Sequence, residues 1–212
     1  MTHNTLSPNP EFAPPDEWQN ERAAKQLAGE LAAVQNTVQN NGAYVEISTE
    51  KRPAKERRIV ATVTIPQPVE QVWQVITDYE HLADFVPNLT SSKLLPSSQG
   101  RIRLEQIGSQ CFLRFKFCAR VVLEMTERFP HELGFTMKEG DFKQFEGMWK
   151  LQPTGEIQGK PETQGKPQST QLSYELLVKP PRAMPATLIE RHICHNLTLN
   201  LLAIRQRVLE LA

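Results

Sequence analysis

The sequence predicts an α+β fold: a curved antiparallel sheet of about six or seven strands wrapped around one long C-terminal helix. Three observations lead to it. Over residues 185–211, Ile189, Ile193, Leu197, Leu201, Ile204, Val208 and Leu211 recur every three or four positions, which is one face of an α-helix. From residue 89 to 178 the chain instead alternates apolar and polar positions, the period of half-buried strands. Between the first long strand and that β-rich stretch stand two short helical segments. The last helix would be roughly 40 Å long, and its apolar stripe needs an equally long apolar surface, which only a sheet can offer here.

Residues 1–43 are expected to lie outside that domain. Residues 1–15 are polar and proline-rich, with little to bury. Asp16 can cap a helix reaching about residue 40, with Leu27, Leu31, Val34 and Val38 as a thin apolar stripe and Gly42 beyond its end. The domain itself is assigned to 44–212, beginning with a short strand at 44–49. The basic segment KRPAKERR at 51–58 is expected to be a solvated hairpin tip; it has no interleaved aromatic residue for base stacking. Ile59, Ala61, Val63 and Ile65 then share one side of a strand. Pro66 and Pro68 end it, and Val69, Val72, Trp73 and Ile76 share one face of the first short helix. A second turn, 79–85, stops before Pro87.

Strands follow at 91–95 and 101–107, then one long strand in which Cys111, Leu113, Phe115, Phe117, Ala119, Val121, Leu123 and Met125 share a parity. A strand that long must bend. Strands at 132–138 and 142–151 put Leu133, Phe135 and Met137, then Phe145, Gly147, Trp149 and Leu151, on one side. Residues 153–170 contain QGKP twice and are expected to be a flexible loop. The last strand, 170–178, turns Leu172, Tyr174, Leu176 and Val178 inward before Pro185 opens the helix.

Composition narrows the function. With 212 residues and a formal net charge of +0, the chain has no global electrostatic footprint for nucleic acid. Cys111, Cys118 and Cys194 are too few and scattered for a disulfide framework. The N-terminus has neither the basic start nor the apolar run of a secretory signal, and no segment is long and apolar enough to span a bilayer. A cytoplasmic location is expected. No Gly-rich loop, GxSxG, CxxC or HExxH is present, so no nucleotide cofactor, nucleophile elbow or metal site is expected, His192 and His195 notwithstanding.

Three segments, VTIPQPVEQVWQVITDYEHLADFVPNL, GDFKQFEGMWKL and TQLSYELLVKPPRAMPATLIE, resemble in order the polyketide cyclase/dehydrase family of the START-like (SRPBCC, helix-grip) superfamily. The resemblance covers about residues 44–211. It implies a helix-grip fold with an elongated apolar cavity between sheet and long helix, and a hydrophobic ligand such as a lipid, prenylquinone or polyketide. The family includes coenzyme-Q-binding chaperones and aromatase/cyclases and has no universal catalytic motif, so binding, catalysis and a protein-interaction role stay open.

Candidate ligand contacts are the inward aromatics Phe115, Phe117, Phe135, Phe145, Trp149 and Tyr174, with Ala119, Met137 and Leu188 beside them. Filling the core would explain these apolar positions equally well. Gln106, Tyr174, His192 and His195 are sharper pointers, because a buried polar group must find a partner. Arg101, Arg103, Arg114, Lys116 and Arg120 have the opposite parity. If their strands pair, this outer face carries a positive patch, a solvated surface by default and, alternatively, a docking face for anionic lipid or an acidic partner.

Overall fold

The computed structural model describes residues 43–97, 100–112, 115–154, 169–180 and 186–212. The expected N-terminal helix and most of the QGKP loop lie outside the described residues. Eight strands form one antiparallel sheet: β1 (Val45–Lys51), β2 (Arg57–Ile65), β3 (Leu89–Leu95), β4 (Ile102–Phe112), β5 (Phe115–Arg128), β6 (Glu132–Gly140), β7 (Gln144–Thr154) and β8 (Ser169–Lys179). Their spatial order is β1-β2-β8-β7-β6-β5-β4-β3. Only β2 and β8 are neighbours that are not consecutive in the chain. Among the described residues there are three α-helices: α1 (Val69–Thr77), α2 (Leu82–Phe85) and the long α3 (Ala186–Glu210).

The sheet has one strand more than the upper expectation, and the break before the long strand comes later than expected, after Phe112 and not at 108–110. Phe112 pairs with Phe115, so the antiparallel pairing of β4 and β5 runs to the ends of both strands. Leu113 and Arg114, which stand between them in the sequence, are not usual turn formers. The inward parity switches between the two strands. Cys111 falls opposite Lys116 in register and shares the parity of Arg103 and Glu105, not that of Ala119 and Val121.

Local chemistry accounts for most elements. Pro68 occupies the N-cap of α1 in an extended conformation, and α1 buries Val69, Val72, Trp73, Val75 and Ile76. In β2, Ile59, Ala61, Val63 and Ile65 are almost wholly buried. They face the same interior as Leu172, Tyr174, Leu176 and Val178 of β8. The long helix packs on β1, β2 and α1 and buries Leu197, Leu201, Ile204 and Val208, four of the stripe residues. Leu211, the last of the predicted stripe, lies beyond the helix and is exposed. Among the described residues, no helix is long and apolar enough to cross a membrane.

The outer face departs from expectation. Arg101 donates to Glu124 at 3.0 Å, Arg103 to Glu139 at 3.0 Å and Arg120 to Glu105 at 2.6 Å. Lys138 also meets Glu124 at 3.1 Å. The expected positive patch is therefore a mixed-charge lattice, since each of these arginines has a carboxylate on an adjacent strand or on β6. The side chains of Arg114 and Lys116 lie outside the described residues.

One seam in the sheet is short. β6 pairs with β7 only from Glu132↔Lys150 to Thr136↔Glu146, so 137–140 and 144–145 are unpaired across it. At its end Gly140 lies so close to β5 that a Cβ there would stand 2.7 Å from the Arg120 carbonyl oxygen. Its φ of +155° is one that side-chain-bearing residues rarely adopt.

Candidate functional site

A cavity of about 250 Å³ lies between the inner face of the sheet and α3. Strands β4 and β5 make one wall with Leu104, Val121, Leu123 and Met125. The cross-strand pair Gly108↔Ala119 leaves room in that wall, since neither residue carries more than a methyl group.

A second wall is aromatic. The rings of Phe135 and Tyr174 stack with centroids 5.4 Å apart, and Trp149 stands edge-on to Tyr174 at 4.3 Å. Phe145 lies 5.7 Å from Phe135 and 5.3 Å from Phe142, which extends the cluster towards the seam between β6 and β7. The register explains how this wall fits. Phe135 pairs with Gly147, whose missing side chain makes space for the Phe135 ring.

The third wall is α3, through His192, Ile193, Asn196, Leu197, Asn200 and Ile204. His192, Asn196 and Asn200 are four residues apart, so they form one polar row along the helix. The end of the cavity is closed by Tyr79, Leu82, Val86 and Asn88 from the short helices and the turn before β3.

The polar groups of the lining are only partly satisfied. The Tyr79 hydroxyl donates to Glu127 Oε1 at 2.6 Å. Gln106 Nε2 donates to Ser92 Oγ at 3.3 Å, and Asn88 Nδ2 reaches Asn196 Oδ1 at 3.5 Å. The Asn200 Oδ1 atom is buried and has no hydrogen-bond partner among the described residues. Burial raises the Tyr174 hydroxyl well above an ordinary tyrosine. Burial, with the neighbouring His195, lowers the His192 imidazole and keeps it neutral near pH 7. Burial, followed by the charge of Glu190, pushes the Cys194 thiol up to about 11, which makes it a poor nucleophile.

Of the residues expected from sequence, Gln106, Ala119, Phe135, Phe145, Trp149, Tyr174 and His192 line the cavity. Met137 does not. It is half-buried against the core and its sulfur packs beside Gly140. His195 is buried but outside the lining, and its Nδ1 has no partner among the described residues. The side chains of Phe115, Phe117 and Leu188 lie outside the described residues. Tyr79, Asn88, Phe142, Asn196 and Asn200 were missed. The two helix asparagines carried a signal, a polar residue four and eight positions after His192 amid an apolar stripe. Among the described residues no three His, Cys, Asp or Glu side chains converge as metal ligands would.

Comparison with known proteins points one way on fold. A family model described as polyketide cyclase/dehydrase and lipid transport matches residues 65–202, more than half the chain. A START superfamily protein from Mycobacterium smegmatis superposes with a TM-score of 0.60 at 18% identity, over 73% of this chain and 99% of that one. The Zhui aromatase/cyclase from Streptomyces sp. R1128 gives a TM-score of 0.55 at 17% identity, over 72% and 93%. At such identities the likeness speaks for the helix-grip fold alone. In sequence, the ribosome association toxin RatA of Escherichia coli K12 is 26% identical over 96 residues, 45% of this chain. The match spans 58% of that relative's length.

Proposed function

The chain belongs to the polyketide cyclase/dehydrase and lipid transport family, and from that premise we propose that it binds a hydrophobic small molecule between its sheet and α3. The observation that carries this reading is the cavity between them, lined mainly by apolar and aromatic side chains. Protein interiors pack to crystal density. A cavity of about 250 Å³ therefore leaves its lining short of packing partners, and an occupant with an apolar body supplies them. The volume falls just below the roughly 300–1,000 Å³ usual for ligand pockets, so it suits one or two fused rings or a short chain segment. In this reading 44–212 is the binding domain, with 1–43 and the QGKP loop as appendages.

Native mass spectrometry of gently purified protein, together with quenching of Trp149 by lipophilic probes, tests the proposal. A saturable shift with one bound molecule is expected. Protein that emerges empty and binds no lipophilic probe would refute it.

A second reading, a cyclase- or dehydrase-like enzyme, is favoured by one observation. His192 presents a neutral imidazole to an apolar cavity, where it can accept a proton from a bound substrate. Turnover of an apolar substrate that survives His192→Gln unchanged would remove His192 from that role.

A further inference from the structure

The cavity walls differ in chemistry, and the difference selects among hydrophobic ligands. Among the described residues, no Asp, Glu, Lys or Arg side chain lines the cavity. Its polar side-chain atoms belong to amides, hydroxyls, one indole and one imidazole, and His192, Asn196 and Asn200 among them lie on α3. Asn88 and Asn196 touch only at 3.5 Å, the long limit of a hydrogen bond, so each keeps capacity for another partner. One turn on, Asn200 holds a buried oxygen with no partner among the described residues. An asparagine amide offers both an acceptor and two donors, and its orientation adjusts to the group it meets.

An ionised head group would fare badly there. Moving a carboxylate or phosphate into this lining strips its water and supplies no cation in return. Glu127 is tied to the cavity through the Tyr79 hydroxyl, and it has the wrong sign for an anion. A carbonyl, hydroxyl or ether oxygen costs far less to desolvate, and the amides satisfy it.

Resting on the binding reading above, we propose that Asn88, Asn196 and Asn200 form a recognition row for an uncharged, oxygen-bearing ligand, and that the cavity rejects molecules with ionised head groups. The row fixes the oxygenated end of the ligand against α3, while its apolar body lies against Phe135, Phe145 and Trp149.

Three naphthalenes of matched shape test this by isothermal titration calorimetry at neutral pH: acetylnaphthalene, ethylnaphthalene and naphthoate, all substituted at the same ring carbon. The ketone should bind roughly threefold to tenfold tighter than the hydrocarbon, the worth of one net hydrogen bond. Naphthoate should bind roughly a hundredfold weaker than the ketone, for want of a counter-charge. In the near-isosteric Asn196→Leu, Asn200→Leu double variant the ketone's advantage should vanish while ethylnaphthalene still binds. That retained binding also shows that the cavity is intact. Should the double variant fail to fold, Asn196→Leu alone should at least halve the advantage.

Naphthoate binding as tightly as the ketone would overturn the proposal, as would a ketone advantage that persists in the variants. Ethylnaphthalene matching the ketone in the unaltered protein would sink the recognition row and leave the apolar cavity standing. Failure of all three to bind would sink both.

Discussion

Arg57 and Glu190 join the second strand to the long helix: Arg57 Nε donates to Glu190 Oε2 at 2.6 Å, and Thr49 of β1 donates to the other carboxylate oxygen at 3.1 Å. The two side chains are only 9% and 16% exposed. Breaking such a pair leaves one charge desolvated and alone. Arg57→Met should therefore cost about 2–3 kcal/mol in urea unfolding, while the Arg57→Met, Glu190→Met double variant recovers part of the loss. A double variant less stable than the single one would contradict this account.

Gly147 makes way for the Phe135 ring. A Cβ there would stand 2.6 Å from Phe135 Cζ and would also collide with the Glu175 backbone oxygen. Gly147→Ala should lower stability by about 3 kcal/mol or more, because a backbone atom cannot retreat as a flexible side chain can. Phe135→Leu in the same chain should recover little of it. Thermal melts of the two variants check both points.

Ala119 borders the cavity opposite Gly108. Ala119→Leu should occupy part of the void and weaken ligand binding roughly tenfold or more, with the melting temperature held or raised. Binding unaffected by this change would place the ligand somewhere else.

Alkaline pH should destabilise the fold. Burial raises Tyr79, and its bond to Glu127 adds to the effect, while burial alone raises Tyr174. The folded state thus holds these protons after the unfolded chain, titrating near 10.0, has released them. Their stabilisation is complete below that pH and is lost as pH rises above it. Tyr79→Phe, Tyr174→Phe protein should show a flatter alkaline decline in unfolding free energy.

On the acid side His192 has the opposite sign. Its folded value is lowered from 6.5, by burial first and by His195 second. The unfolded chain therefore takes up the proton earlier, and stability present above pH 6.5 falls as the pH drops below it. His192→Gln should remove that part of the acid slope, read from urea midpoints across the range.

Periodicity alone made the architecture legible, because burial of one face forces a period of 3.6 or 2 wherever an element lies on the core. It located α3, β2, β7 and β8 to within a few residues. It placed the break between β4 and β5 at 108–110 and not after Phe112, because Leu113 and Arg114 carry no turn chemistry. Parity also could not tell Phe135 from Met137. Both face the interior side of β6, but pairing with β7 stops at Thr136, so Met137 packs beside Gly140 instead of on the cavity. The supposed basic face failed for a related reason. Glu105, Glu124 and Glu139 neutralise it from neighbouring positions that only the register reveals. Asn196 and Asn200 were visible as polar residues one turn apart, yet which side of the helix meets a void cannot be read from spacing.

The pairing of β2 with β8 has a kinetic consequence. Arg57 must find Val178 and Ile65 must find Thr170 before the first hairpin joins the rest of the sheet. Closing so large a loop is entropically slow, which places refolding in the millisecond-to-second range typical of chains dominated by non-local contacts. Until that encounter, the strands of the first hairpin and those of the later meander are two unjoined pieces. The chamber and the helix that roofs it should then emerge in one concerted step, with Trp149 fluorescence and helical circular dichroism rising at the same rate.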